Sequence, residues 1–238
     1  MITETMTLSE KIREMLRDLE ELKRESMKYI AKGGFKELRR QDAQFPAFRV
    51  LELTSSRMTN YLVMLTFKSR KDIFDPNPLL SFRAIIETKA GKMLMGLSLG
   101  GNENFVSAFF YTPHLLRRYR ERMGYKQEGM DLMKIFCKRN TNFVLNNEYR
   151  RKSMKDHKHV MLTCLDGAVF GYRMTEDPYS YVLSTFIAND TMQEGYKKRF
   201  NDKFDEAMKE GMEELGQLFP IMAEVPVVPR KRKTPKKQ

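Results

Sequence analysis

The chain has no tryptophan, two cysteines and three histidines in 238 residues. Two cysteines, Cys137 and Cys164, cannot build a disulfide framework and read as reduced intracellular thiols. Long apolar runs are missing too. The longest charge-free stretches are residues 104–116 and 178–189, and both fall short of the roughly 20 apolar residues that a membrane span needs. The opening Met-Ile-Thr-Glu-Thr-Met-Thr places no basic segment ahead of an apolar run, so no secretory signal is read. Gly100-Gly101 is not followed by Gly-Lys-Ser/Thr, and the GxSxG, HExxH and protein-kinase sets are absent. The expectation is a soluble, cytoplasmic protein with no membrane partner and no cofactor.

Charged residues make up 31% of the chain against 41% hydrophobic ones, which is enough apolar material for a core. The net charge of +12 is unevenly spread. Arg230, Lys231, Arg232, Lys233, Lys236 and Lys237 supply six of those charges, with Pro226, Pro229 and Pro235 punctuating the same stretch. Proline at that density disfavours regular structure. The tail reads as a solubilising end, an anchor on phosphates through counterion release, or a nuclear-import signal; its composition does not choose. Three segments are expected: an N-terminal helix over 1–34, an α+β globular domain over 35–219, and a disordered basic tail over 220–238.

Thr7-Leu8-Ser9-Glu10 fits a capping box, with a hydroxyl at the N-cap and a carboxylate three residues on. Leu8, Ile12, Met15, Leu19 and Leu22 follow in alternating steps of four and three. That seam suits either a helix laid across its own domain or a homodimer through this helix. Alternating or compact apolar runs at 48–53, 61–67, 80–88, 92–99 and 104–111 predict strands. Lys89-Ala90-Gly91 and Gly100-Gly101-Asn102 supply hairpin chemistry. Pro113 opens a helix that stops at Gly124, a second covers 128–139, and a third is read at 147–155. Strands at 159–165 and 168–174 flank Asp166-Gly167, and another spans 181–188. Asn189-Asp190-Thr191 then caps a long final helix striped by Met192, Tyr196, Phe200, Phe204 and Met208. The fold class is α+β: antiparallel sheet or sheets from two β-meanders, with a long N-terminal helix, a middle helical segment and a long C-terminal helix.

The stretch from Pro113 to Met123 carries the chemistry. Leu115, Leu116, Tyr119 and Met123 form an apolar face, while His114, Arg118 and Arg122 recur every four residues in a stripe expected to run half-buried beside it. Guanidinium forks beside a group that titrates near neutrality suit an anionic ligand. The same stripe also suits an ordinary basic helix with snorkelling side chains. Arg117, Arg120 and Glu121 are read as pointing outward. Further basic clusters at Arg39-Arg40, Arg150-Arg151-Lys152 and Lys197-Lys198-Arg199, some beside Tyr149, Tyr196 and Phe200, fit backbone contact with stacking on unpaired bases. His157 and His159 share a face in an extended strand, but no third ligand is convincing, so no metal is assigned. Cys164 reads as core, and Cys137 stands beside Lys138 and Arg139, which can lower a thiol pKa, but no partner for nucleophilic chemistry is evident.

Over residues 113–188 the order of elements resembles the metal-independent ribonucleases of the barnase and colicin type: a His-x3-Arg-x3-Arg helix followed by strands closing in Ser184-Thr185-Phe186. The resemblance implies that His114 handles the proton of a ribose 2′-hydroxyl. Arg118 and Arg122 would stabilise the pentavalent phosphate, and Thr185 would position it. The strands at 45–111 have no counterpart in that group, and no acidic base is evident. The functional expectation is a nucleic-acid-binding protein, RNA before DNA, with ribonuclease-like activity and with Arg117, Arg120, Arg150, Arg151, Lys231, Arg232 and Lys233 as further contacts. The competing expectation is a non-catalytic interaction module that docks through its N-terminal helix and adheres through its tail.

Overall fold

The computed structural model describes residues 1–74, 79–99, 106–140, 143–146, 159–174, 177 and 180–191. The capping box forms at the start of helix α1, Leu8–Ala31. The Thr7 hydroxyl accepts from the Glu10 amide at 3.3 Å, and the Glu10 carboxylate accepts from the Thr7 amide at 2.8 Å. Those bonds hold Glu10 below the usual carboxylate range. Met15, Leu22 and Ile30 are buried along one side of α1, together with Asp18 and Ser26. Ser26 Oγ donates to Leu22 O at 2.8 Å, and Asp18 accepts from Tyr61 Oη at 2.7 Å and pairs with Arg57 Nε at 2.9 Å. The helix therefore lies across its own domain, with Met15 and Leu22 of the seam buried and Leu8, Ile12 and Leu19 half-buried.

Five strands follow: β1 (Ala47–Thr54), β2 (Asn60–Phe67), β3 (Leu79–Thr88), β4 (Gly91–Leu99) and β5 (Val106–Tyr111). Each pairs antiparallel with the next. Helices α2 (Pro113–Met123) and α3 (Gly129–Arg139) come next, then β6 (Val144–Asn146), β7 (His159–Cys164), β8 (Gly167–Arg173) and β9 (Tyr181–Ala188). Strand β6 has no counterpart in the sequence reading, because three residues carry no periodicity. The helices read at 147–155 and beyond Asn189, and the basic tail, lie outside the described residues.

The protein is α+β, but the two meanders do not form separate or purely antiparallel sheets. They join edge to edge into one nine-stranded sheet in the order β1-β2-β3-β4-β5-β9-β8-β7-β6. The joint is parallel, pairing Phe109 with Tyr181, Phe110 with Val182 and Tyr111 with Leu183. The Phe109 and Tyr181 rings stack across it, with centroids 5.2 Å apart. A parallel pairing needs a long crossover, and residues 112–180 provide it.

Both faces of the central strands are covered. On one face Tyr61, Val63, Leu65, Ile86, Met95 and Phe110 pack with Met15 and Leu22 of α1. On the other, Leu62, Met64, Leu94, Tyr111, Leu183 and Phe186 pack with Leu115, Leu116, Tyr119, Leu132, Met133 and Phe136 of α2 and α3. Burial on both sides explains the unbroken apolar run Tyr61–Leu65 in β2. Among the described residues no helix is long and apolar enough to cross a membrane.

Candidate nucleic-acid interface

Helix α2 is fixed at both ends by local chemistry. The Thr112 hydroxyl accepts from the Leu115 amide at 3.3 Å, and Pro113 stands in the first turn, where its missing N–H costs nothing. Gly124 ends the helix in a left-handed conformation at φ 67°, which a side chain would resist. Leu115, Leu116 and Tyr119 are buried against the sheet. The Tyr119 ring meets Phe136 and Phe186 edge-on, each with centroids 5.0 Å away.

A polar network beneath α2 holds it to the second meander. Tyr119 Oη donates to Asp166 Oδ2 at 2.7 Å in the β7–β8 turn. Arg139 of α3 grips the same carboxylate with both arms, Nε at 2.8 Å and Nη2 at 2.5 Å. Asn140 Nδ2 donates to Asp166 Oδ2 at 3.3 Å, and Asn140 Oδ1 accepts from the Asp166 amide at 3.3 Å. Burial alone would raise the Asp166 pKa, but the hydrogen bonds from Arg139 and Tyr119 outweigh it and hold the carboxyl below its ordinary range. Burial and the Asp166 bond push the Tyr119 phenol upward. The sequence presents Asp166 only as a turn residue; its role depends on three side chains that converge from α2, α3 and the residue after α3.

The outward side of α2 carries the basic groups. His114, Arg117, Arg118 and Arg122 are all exposed. His114 Nδ1 lies 2.8 Å from Arg117 Nη2. A guanidinium can only donate, so Nδ1 accepts there and the ring proton sits on Nε2. Arg118 Nη1 donates to Glu121 Oε2 at 2.9 Å, and Arg120 pairs with Glu128. The expected half-buried His114–Arg118–Arg122 stripe is thus corrected to a solvent-facing one, and Arg120, read as outward, is the half-buried arginine. For His114 helix geometry gives the reason: at about 100° per residue it lies about 150° from the centre of the Leu115–Leu116–Tyr119–Met123 face, whereas Arg120 and Arg122 flank that face at similar angles on opposite sides.

Thr185 is not brought to this row. A register shift between Phe170 and Gly171 opposes Ser184, so Leu183 pairs with Gly171 and Phe186 with Val169, while Thr185 pairs with Phe170. Leu183, Phe186 and Val169 belong to the core under α2 and α3, whereas Phe170 packs with Met161 and Ala168 in a separate cluster. Directly paired residues share a face, so Thr185 stands on the side of the sheet away from α2. The bulge reverses the alternation that a regular strand would have kept. Arg150, Arg151, Lys231, Arg232 and Lys233 lie outside the described residues.

Neither cysteine is set up as a nucleophile. Both are buried. Burial raises the Cys137 pKa against the opposing pull of Arg83, and it pushes the Cys164 thiol up to about 12. Cys137 faces the core beside Tyr111 rather than the cations Lys138 and Arg139 that follow it. Sequence reasoning also missed Arg83, a buried guanidinium lying over the Tyr111 ring at 5.2 Å. His159 is half-buried on β7 opposite Tyr172, and His157 lies outside the described residues. Among the described residues, no three His, Cys, Asp or Glu side chains are grouped to hold a metal ion.

What the fold and site define is a class: an α+β protein with one mixed sheet and a helix packed on it whose outer side is basic. No protein-family model, curated protein or solved structure matches the chain.

Proposed function

We propose that the chain is a nucleic-acid-binding protein that grips the phosphate backbone with the outward side of α2, RNA being the intended polymer. One observation carries the reading. His114, Arg117, Arg118 and Arg122 share the exposed side of a helix whose other side is locked by Tyr119, Asp166 and Arg139. Arginine forks match phosphate oxygens in pairs. A helix that is already immobilised loses little further entropy when it binds. The tail sequence adds six cations, which strengthen attraction without specifying sequence.

Binding is a better-supported reading than cleavage. A ribonuclease reaction through this row rests on His114 as proton carrier, with Arg118 and Arg122 on the phosphate, and Thr185 takes no part because it stands across the sheet. The homodimer reading has less support still, because Met15 and Leu22 of the seam are buried against the sheet.

Binding and cleavage of labelled RNA and DNA oligonucleotides by the wild type, the His114→Ala variant, the Arg118→Gln/Arg122→Gln variant and a chain truncated after Val228 test the reading. The double variant is expected to weaken binding at every salt concentration. The truncation is expected to flatten the dependence of log affinity on log salt by up to about 4 for a single strand, since six cations are removed. Turnover lost in His114→Ala with binding retained assigns the catalytic role. No binding by any form at low salt removes nucleic acid as the partner.

A further inference from the structure

We infer that the chain carries a second single-stranded nucleic-acid contact, a stacking platform formed by Phe74 and Arg39 at the far end of the first meander from His114. It extends the nucleic-acid reading to a surface that does not include α2.

Two short 3-10 turns build the platform, Lys36–Arg39 and Arg70–Phe74. Each is anchored by one buried apolar residue and turns its neighbour outward. Leu38 is buried, and Arg39 and Arg40 after it are exposed. Ile73 is buried, and Phe74 after it is 69% exposed. The first turn is steadied by Phe35, whose ring packs edge-on against Phe67 and Tyr29. The second is steadied by Asp72, which accepts from the amides of Lys68 at 2.6 Å and Ser69 at 3.1 Å. The turns are tied together by Arg70 Nη2, which donates to Arg40 O at 2.6 Å.

The two side chains that matter are pre-placed. The Arg39 guanidinium lies over the Phe74 ring, 5.6 Å from its centroid. It also donates to Ile30 O at the end of α1 at 3.4 Å. An aromatic face left in water costs hydrophobic free energy, and a planar cation beside it is a common partner of a stacked base. Lys36, Arg40, Arg70 and Lys71 stand in or beside the same two turns and are exposed. Among the described residues no carboxylate forms an ion pair with any of these four or with Arg39. A flat ring, a guanidinium and a surplus of cations over the carboxylates Glu37 and Asp72 of the same turns match an unpaired base and the phosphates on either side of it. A purely electrostatic surface needs no ring.

The site is distinct from α2. Tyr111 pairs with Leu94, Leu94 with Ile85, and Ile85 with Asn60, so α2 starts level with the first residue of β2. Phe74 lies in the turn beyond Phe67, at the opposite end of β2, a strand about 24 Å long.

The test uses a labelled single-stranded oligouridylate and the full chain. Phe74→Ala, at an exposed position, is expected to weaken binding about tenfold without changing the salt slope, because it removes stacking and no charge. Arg39→Gln is expected to weaken binding and lower the slope by about 0.7. Phe74→Trp is expected to retain affinity. It also introduces the only tryptophan in a chain that has none, so its fluorescence should be quenched as a base stacks. Wild-type affinity in Phe74→Ala, or unchanged tryptophan emission at saturating oligouridylate, overturns the platform and leaves α2 standing. Loss with Phe74→Ala but not with Arg118→Gln/Arg122→Gln upholds the platform and removes α2. Emission that responds to vesicles containing phosphatidylserine but not to oligouridylate also overturns it, in favour of a membrane surface.

Discussion

Asp166 is the residue on which the candidate interface turns. Its carboxylate is almost fully buried and holds α2, α3 and the β7–β8 turn together through Tyr119, Arg139 and Asn140. Asp166→Asn keeps the shape but removes the charge that organises those donors. Breaking a buried pair is costly, but the Arg139 end is partly exposed and screened, so a loss of about 2 to 3 kcal/mol is expected. The pH dependence follows from the direction of the shift. The folded-state pKa is depressed, so the stabilisation is present above the ordinary carboxylate value near 4 and is lost as pH falls through the lower folded value. Urea midpoints of the wild type should fall on acidification below about pH 4, and those of Asp166→Asn should fall less steeply. Equal acid sensitivity in both would show that other carboxylates govern the transition. None of this was legible in Asp166-Gly167 as a sequence, because turn chemistry predicts backbone shape and says nothing about which distant side chains arrive at the turn.

At the scale of elements, local signals and structure agree closely where a helix or strand is bounded by its own residues. Thr112-Pro113 and Gly124 mark α2, the apolar run Tyr181–Ala188 marks β9, and the Thr7–Glu10 box marks α1. Orientation was less legible than existence. The α1 seam suited two partners, and in the structure its Met15 and Leu22 are buried against the sheet, with Asp18 and Ser26 bonded beside them. Leu22→Ala is therefore expected to cost about 3 kcal/mol, the usual loss for a buried leucine. Leu16→Ala, on the side facing solvent, should cost no more than about 0.5 kcal/mol. Chemical denaturation of the two variants checks this, and the reverse order would mean that the Leu16 side of α1, not the Leu22 side, is the covered one. Strand β9 shows how one irregularity alters a site. The shift opposite Ser184 moved Thr185 off the α2 side, and a bulge of one residue leaves no mark in an apolar run.

At the scale of the molecule, the decisive event is the parallel joint between β5 and β9. It converts two meanders into one sheet and places α1 on one face and α2 with α3 on the other. Because α1 and both meanders share continuous cores, the body should unfold in one cooperative transition. Near- and far-ultraviolet circular dichroism should give coincident melting curves, and an earlier far-ultraviolet phase would mean that α1 or one meander comes apart by itself. Composition and local pattern by themselves determined the α+β class, the bounds of most elements and the concentration of charge in the tail, because capping, alternation and turn preference act within a few residues. Only the tertiary structure decided that the sheet is single and mixed, that the His–Arg row faces solvent with Thr185 across the sheet from it, and that Phe74 meets Arg39. Each of those depends on pairings between residues tens of positions apart, where chain entropy and packing on both faces of the sheet select the partner.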